Sequence, residues 1–205
     1  MNRDETLLDT VRLFLPKYLT PGQAKDLWTE LSAFPESRNY YWTSSNLRDD
    51  LLQGDGWQGF VVVDFASGTR KSVTGMIISN SCDISLENSR SLHARILFAP
   101  LIEVAKLRHR LFLAGRTPEQ VDAFLADVRR QRITSIFYLP QYSDVMTESV
   151  VLLDDIHSHP SGDFLNAQRT ICFRLNQFAF YLFLMKLSIH LCRFQEGVPR
   201  FDGAA

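Results

Sequence analysis

Gly59-Phe60-Val61-Val62-Val63-Asp64-Phe65 is a run of β-forming residues, followed by a Ser67-Gly68 turn and a second such run from Val73 to Ser79. Branched and aromatic side chains suit a pleated surface, and a glycine turn between two such runs predicts an antiparallel hairpin. Downstream, His93 to Leu101 reads as a further strand ending at Pro100. Thr117-Pro118-Glu119-Gln120 then has the form of a capping box, and Val121, Phe124, Leu125 and Val128 recur at helical spacing behind it. Strands return at Ile133 to Leu139 and Ser149 to Ile156. A long helix is expected from about Leu165 to Phe194, stopped by Gly197 and Pro199.

Upstream of the hairpin the pattern is helical. Leu7, Leu8, Val11 and Leu15 share a face that Pro16 ends. Thr20-Pro21-Gly22-Gln23 opens a second helix with Ala24, Leu27, Trp28 and Leu31 on its apolar side and Pro35 beyond its end. Asn39-Tyr40-Tyr41-Trp42 is an exposed-looking aromatic cluster, suited to stacking bases, anchoring a partner or sealing a core edge. Strands that follow one another mostly without crossover helices favour a small antiparallel sheet or barrel. The expectation is therefore one α+β domain over 1–205. It comprises an N-terminal helical extension (1–56), a barrel (57–160) with a helical insertion at about 106–132, and a C-terminal helix (161–205).

The chain of 205 residues has 15 Phe and 3 Trp, enough to fill a sizeable core, and its 45% hydrophobic content excludes a disordered class. The net charge of −1 gives no polyelectrolyte character overall. Between Lys106 and Arg132 the balance differs: Lys106, Arg108, Arg110, Arg116, Arg129, Arg130 and Arg132 face only Glu119, Asp122 and Asp127. Such a segment is either a solvated helix face or a patch for phosphates or an acidic partner. Cys82, Cys172 and Cys192 lack the spacing of a disulfide framework or a zinc ribbon. No leader is read in the acidic, amphipathic Asp4 to Leu15. Phe178 to Cys192 is too short and too polar to span a bilayer. A cytoplasmic location without membrane contact is the expectation.

Three ordered pieces between 57 and 160 resemble the PemK/MazF family of small SH3-like barrels, the toxin half of bacterial toxin–antitoxin pairs. They are Val62-Val63-Asp64-Phe65 with Gly75-Met76-Ile77-Ile78-Ser79-Asn80, then Ile96-Leu97-Phe98-Ala99-Pro100-Leu101, then Ser149 to Ser158. The resemblance implies a PemK-like barrel in a toxin–antitoxin or phage-defence component that contacts RNA or DNA. In that family an arginine six residues before the motif serine and a threonine after Pro-Leu are associated with RNA cleavage; Val73 and Ile102 stand at those places here. RNA cleavage needs a base for the 2′-hydroxyl and a cation for the phosphorane charge. The candidates are Arg70 or Lys71 for the cation, Ser79 as the motif serine and His157 for the proton, which would make a metal-independent endoribonuclease. Arg108, Arg110, Arg116, Arg129, Arg130 and Arg132 are the candidate nucleic-acid contacts.

His157-Ser158-His159-Pro160-Ser161-Gly162-Asp163 resembles the His-x-His-Pro-Ser-Gly-Asp of JAMM/RadC metalloproteins. The serine and aspartate that continue that pattern are replaced here by Ala167 and Thr170. His157 and His159 alone fall short of the three protein ligands catalytic zinc keeps. The plainer reading is a strand end and a Pro-Ser-Gly turn, and no cofactor is expected. Ser79-Asn80-Ser81-Cys82-Asp83-Ile84, with Lys186 to Arg193, is similar to uncharacterised bacterial proteins that share a Ser-Cys-Asp-Ile box. Cys82 beside Asp83 suggests a thiol nucleophile served by His157 or His159, or a metal site with both, set against a small buried hydrophobe. His190 reads as a satisfied core histidine, His93 and His109 as surface, and Arg193, Arg200 and Lys186 as extensions of the basic patch. Three functions thus compete: a nucleic-acid-contacting barrel, a non-catalytic module that docks a protein encoded nearby and self-associates when alone, and a metal-dependent hydrolase.

Overall fold

The computed structural model describes residues 39–43, 50–85, 94–142 and 146–191, with the single positions 20, 22, 25 and 29. The first expected helix, most of the second, His93, Cys192, Arg193 and Arg200 lie outside the described residues; Gly22, Lys25 and Thr29 are helical as expected. The chain runs β1 (Gly56–Val63), β2 (Arg70–Ile77), α1 (Ser81–Ile84), β3 (Arg95–Glu103), α2 (Val104–Leu113), α3 (Pro118–Arg129), β4 (Ile136–Leu139), β5 (Ser149–Leu152), β6 (His157–Pro160), α4 (Ser161–Asn166), β7 (Thr170–Phe173) and α5 (Gln177–Leu191). It is a mixed fold with an open antiparallel sheet in the order β4-β5-β3-β2-β1-β7, and β6 also pairs with β3. A closed barrel is not shown by this order, in which β4 and β7 each have one partner strand.

The hairpin forms where the sequence places it. Asp64 builds its turn: the main-chain oxygen accepts from Gly68 N at 2.7 Å, and Oδ1 accepts from the amides of Ala66 and Ser67. At the base of β1, Gly59 (φ +109°) makes a bulge in the register with β2, a backbone conformation natural to glycine. β3 runs past the expected stop at Pro100. Residues 95–98 pair with β6 and 101–103 with β5, so the missing Pro100 N–H interrupts neither ladder.

Alternation along the strands divides the core. Phe137 and Leu139 of β4 and Val151 of β5 pack under α5, whereas Ile136 and Val150 pack on the opposite face under α2 and α3. The α2–α3 pair is the expected insertion, and its capping box is complete: Gln120 N donates to Thr117 Oγ1 and Thr117 N donates to Gln120 Oε1. A third cluster lies inside the curl of β1, β2, β3 and β6. There Phe60 stacks on Phe98 (centroids 4.0 Å apart) and on Phe164 of α4 (4.2 Å), and His157 lies over the far side of Phe98 (5.5 Å). Gly75 makes room for this column, since a Cβ there would lie 2.6 Å from the Phe98 ring and 2.9 Å from the Phe60 ring.

The expected helix from Leu165 to Phe194 is a correction. Leu165 ends up in α4, β7 follows, and α5 starts only at Gln177, where the Asn176 carboxamide oxygen accepts from Ala179 N at 2.9 Å and caps it. The Pro-Ser-Gly segment is likewise the start of α4 and not a turn, and Ser161 Oγ donates to Ala94 O at 2.8 Å. No helix among the described residues is long and apolar enough to cross a membrane.

Candidate functional site

The start of β1, α1 and the first half of α5 converge on a cleft of about 780 Å³. Its apolar wall is Trp42, Leu52, Leu175, Phe180 and Leu184. Its polar lining is Gln53, Asn80, Ser81, Cys82, Asn176 and Gln177. Asp55 and Arg174, 2% and 5% exposed, also line it. The Arg174 guanidinium donates to Asp55 Oδ2 through Nε at 2.8 Å, with Nη2 2.7 Å from the same oxygen, and Nη2 also donates to Asp50 O at 3.0 Å. Burial pushes the Asp55 carboxyl up to about 7, against the opposite pull of Arg174 and the Leu52 backbone.

The polar wall is positioned by the main chain around Asn80. Asn80 caps α1 by accepting from Cys82 N at 2.9 Å. Gln53 is tied to the same corner, its main-chain N donating to Ser81 Oγ and its Nε2 to Ile78 O, both at 2.8 Å. Opposite them, the 39–42 segment runs alongside β7's exit: Tyr41 pairs with Leu175 and Trp42 N donates to Arg174 O at 2.9 Å. This splits the aromatic cluster. Tyr40 and Tyr41 are core, at 2% and 4% exposed, while Trp42 at 50% stands at the cleft.

Searched against models of known protein families and against curated proteins, the chain matches none. The site therefore stands on its geometry alone.

The residues named from sequence fall into separate places. Cys82 is exposed in the cleft, not buried as a small hydrophobe, and Asp83 follows it on α1. Among the described residues no histidine lines the cleft, and His157 and His159, the bases proposed for a Cys82 nucleophile, are not part of it. Ser79 accepts from Leu97 N at 2.7 Å through Oγ, a bond that ties β2's end to β3. His157 Nε2 lies 3.0 Å from Asp155 Oδ1, and His159 Nδ1 lies 3.0 Å from Pro160 O, its ring edge-on to Phe60 and Phe164. Among the described residues no three His, Cys, Asp or Glu side chains gather as a metal site. Arg70 and Lys71 start β2, whereas Ile77 ends it and is linked through Phe98 to His157. Seven residues of strand at ~3.3 Å each separate these levels by roughly 20 Å, so the cation and the imidazole do not share a site.

The basic insertion is largely self-neutralised. Arg108 pairs with Asp122 (2.7 Å), Arg129 with Glu148 (2.5 and 2.9 Å) and Arg132 with Asp127 (3.1 Å). Arg129 and Tyr138 hold the Glu148 carboxyl below its ordinary value, and Arg116 lies over the Phe124 ring. Arg110 and Arg130 make no ion pair among the described residues. His109 sits beside Lys106 and Arg110, while His190 is half-buried with Nδ1 lacking a partner among the described residues, unlike the satisfied core histidine expected.

Sequence reasoning missed Gln53, Asp55, Arg174, Phe180 and Leu184. Asp55 and Arg174 are 119 residues apart, and no local pattern announces a pair at that distance.

Proposed function

We propose that this protein is a binding module whose working surface is the cleft between β1, α1 and α5, and that it carries out no chemistry there itself. The observation that supports the reading is a cleft of about 780 Å³ whose lining mixes apolar side chains with Gln53, Asn80 and Ser81, each of which has a hydrogen-bonding valence unused among the described residues. Sites for small molecules and for inserted side chains have that size and that mixture. The reading belongs to the interaction-module class, with the cleft and α5 as the contact. Fragments screened by ligand-observed NMR against the wild type and Leu184→Trp, whose indole fills the cleft, test it. Hits on the wild type should compete for one site and bind about tenfold more weakly to the variant, a loss of about 1.4 kcal/mol. Hits scattered over several sites, or held equally by both proteins, would remove the cleft from consideration.

A second reading is favoured by the β1–β2 hairpin. Residues 60–63 and 70–73 pair only with each other among the described residues, and Phe65 at the turn is 96% exposed. Arg70 and Lys71 beside it are exposed and make no ion pair among the described residues. One open ring next to two uncommitted cations suits a nucleic-acid strand. The toxin–antitoxin or defence role implied by the PemK/MazF resemblance belongs to this reading, as does the SH3-like barrel. Support for closure is the contact of His159 on β6 with Phe60 on β1. Retardation of labelled single-stranded RNA in chelator should weaken steeply with salt, and Arg70→Ala with Lys71→Ala should flatten the log–log slope by about two. A slope that the double variant leaves unchanged would set the hairpin aside, and cleavage in chelator would restore a metal-independent ribonuclease.

A further inference from the structure

Each of three polar side chains at the cleft makes one bond and leaves another valence unused among the described residues. Gln53 Nε2 is committed to Ile78 O, so its Oε1 is an acceptor without a partner among the described residues. Ser81 Oγ accepts from Gln53 N, so its hydroxyl proton remains to be donated. Asn80 Oδ1 accepts from Cys82 N, so its Nδ2 remains a donor. The polar wall thus offers one fixed acceptor beside two donors. A ligand edge that places an N–H next to a C=O satisfies this set, the N–H meeting Gln53 and the C=O meeting Ser81 or Asn80.

Charge narrows the choice further. Among the described residues, the only charged side chains lining the cleft are Asp55 and Arg174, which are paired with each other and almost wholly buried. Among the described residues a phosphate or carboxylate would find no uncommitted cation here, and an ammonium no uncommitted carboxylate. The lining also carries the half-exposed indole of Trp42 and the ring of Phe180, flat faces that a planar ligand covers better than a peptide backbone does.

We propose that the cleft takes an uncharged heteroaromatic ring with an amide-type edge, the chemistry of a uracil- or guanine-like base, read by Gln53, Asn80 and Ser81 and stacked on Trp42. The proposal rests on the cleft being the binding site. Side-chain amides read base edges in the same way elsewhere, with an acceptor and a donor meeting two adjacent atoms. The same base can come as a free nucleoside or within a strand, and the two sources differ only in what lies outside the cleft.

Isothermal titration with uridine, guanosine, 3-methyluridine, uridine 5′-monophosphate, an oligouridylate and N-acetyltryptophanamide tests this. Uridine or guanosine should bind, and Trp42→Ala, a change at a half-exposed position that leaves the core intact, should weaken it about tenfold, within the range known for base–aromatic stacking. If uridine binds, 3-methyluridine, whose edge N–H is blocked, should be weaker by a similar factor, and the monophosphate should gain less than about threefold, given the absence of an uncommitted cation. An oligouridylate that binds more tightly, with the same dependence on Trp42, assigns the base to a strand; equal binding assigns it to a free nucleoside. If N-acetyltryptophanamide binds and neither nucleoside does, the base assignment falls and the cleft remains a site for side chains. If no probe binds, both the assignment and the reading of the cleft fall. A monophosphate preferred by more than tenfold overturns the uncharged class.

Discussion

Replacing Arg174 by methionine should lower the free energy of unfolding by about 3–5 kcal/mol at pH 8, because Asp55 must then be buried charged without its counterion or take up a proton. Asp55 is 2% exposed, and the Arg174 guanidinium is its only cationic partner among the described residues. The penalty should depend on pH in a defined direction. Burial lifts the Asp55 carboxyl to about 7 even with Arg174 present, and without the guanidinium it must rise further. A carboxyl whose folded value lies above the unfolded value of about 4 contributes stability at pH below about 4, and that contribution is lost as pH rises through the folded value. The variant should therefore be destabilised much less at pH 5 than at pH 8. Adding Asp55→Asn should recover part of the loss at pH 8, since an amide costs less to bury than a charge. Denaturant unfolding of the three proteins at both pH values checks this. A penalty that is the same at pH 5 and pH 8 would show that Asp55 does not carry a buried charge.

What the sequence made legible was local. The β1–β2 hairpin announces itself through Asp64, Ser67 and Gly68, all within one turn, and α3 through Thr117 and Gln120, three residues apart. Elements decided by distant partners were misread. Pro100 looked like a strand end, yet β3 continues to Glu103 because the pairing partner changes around the proline. The stretch from Leu165 to Phe194 contains no glycine or proline, so nothing local broke it. Pairing of Trp57 with Ile171 and of Gln58 with Thr170 turns its first part into β7. Tyr40, Tyr41 and Trp42 are chemically alike in sequence, and only the packing of Phe137, Phe173 and Phe178 against the two tyrosines separates core from cleft. The Ser-Cys-Asp-Ile box could be singled out as unusual, but its neighbours in the cleft come from Trp42 far upstream and from Arg174, Leu175 and α5 far downstream. The candidate site was thus half-visible: the α1 corner could be read, and the α5 wall with its buried ion pair could not.

Lys186→Met should cost about 3 kcal/mol, the second large effect expected, because several buried acceptors would lose their shared donor. Lys186 is 6% exposed in the middle of α5, so it is a core residue and not the extension of the basic patch expected from sequence. Its three N–H donors are shared among four oxygens within hydrogen-bond distance: Gln131 O (3.0 Å), Gln131 Oε1 (2.9 Å), Ile133 O (2.7 Å) and Ile136 O. These acceptors span the exit of α3 and the start of β4, so one side chain ties three elements together. Gln131 is also the non-glycine residue with positive φ (55°) among those described, and its amide bonds Tyr138 in both directions. A residue in that conformation persists where its surroundings over-determine it, and Lys186 supplies part of that constraint. Burial draws the Lys186 ammonium down to about 7. A lysine whose folded value is depressed contributes stability that is fully present above its unfolded value of about 10.4, and that contribution is lost as pH falls toward the folded value. The wild type should therefore lose stability between about pH 10 and pH 7 along a slope that the methionine variant lacks. The same anchor sets the position of Phe180 and Leu184, which lie within the preceding two turns of α5 and form one wall of the cleft. A variant that unfolds like the wild type at every pH would show that α5 is held by its apolar face alone. A variant that is destabilised and also loses cleft ligands would show that the ammonium shapes the site from behind it.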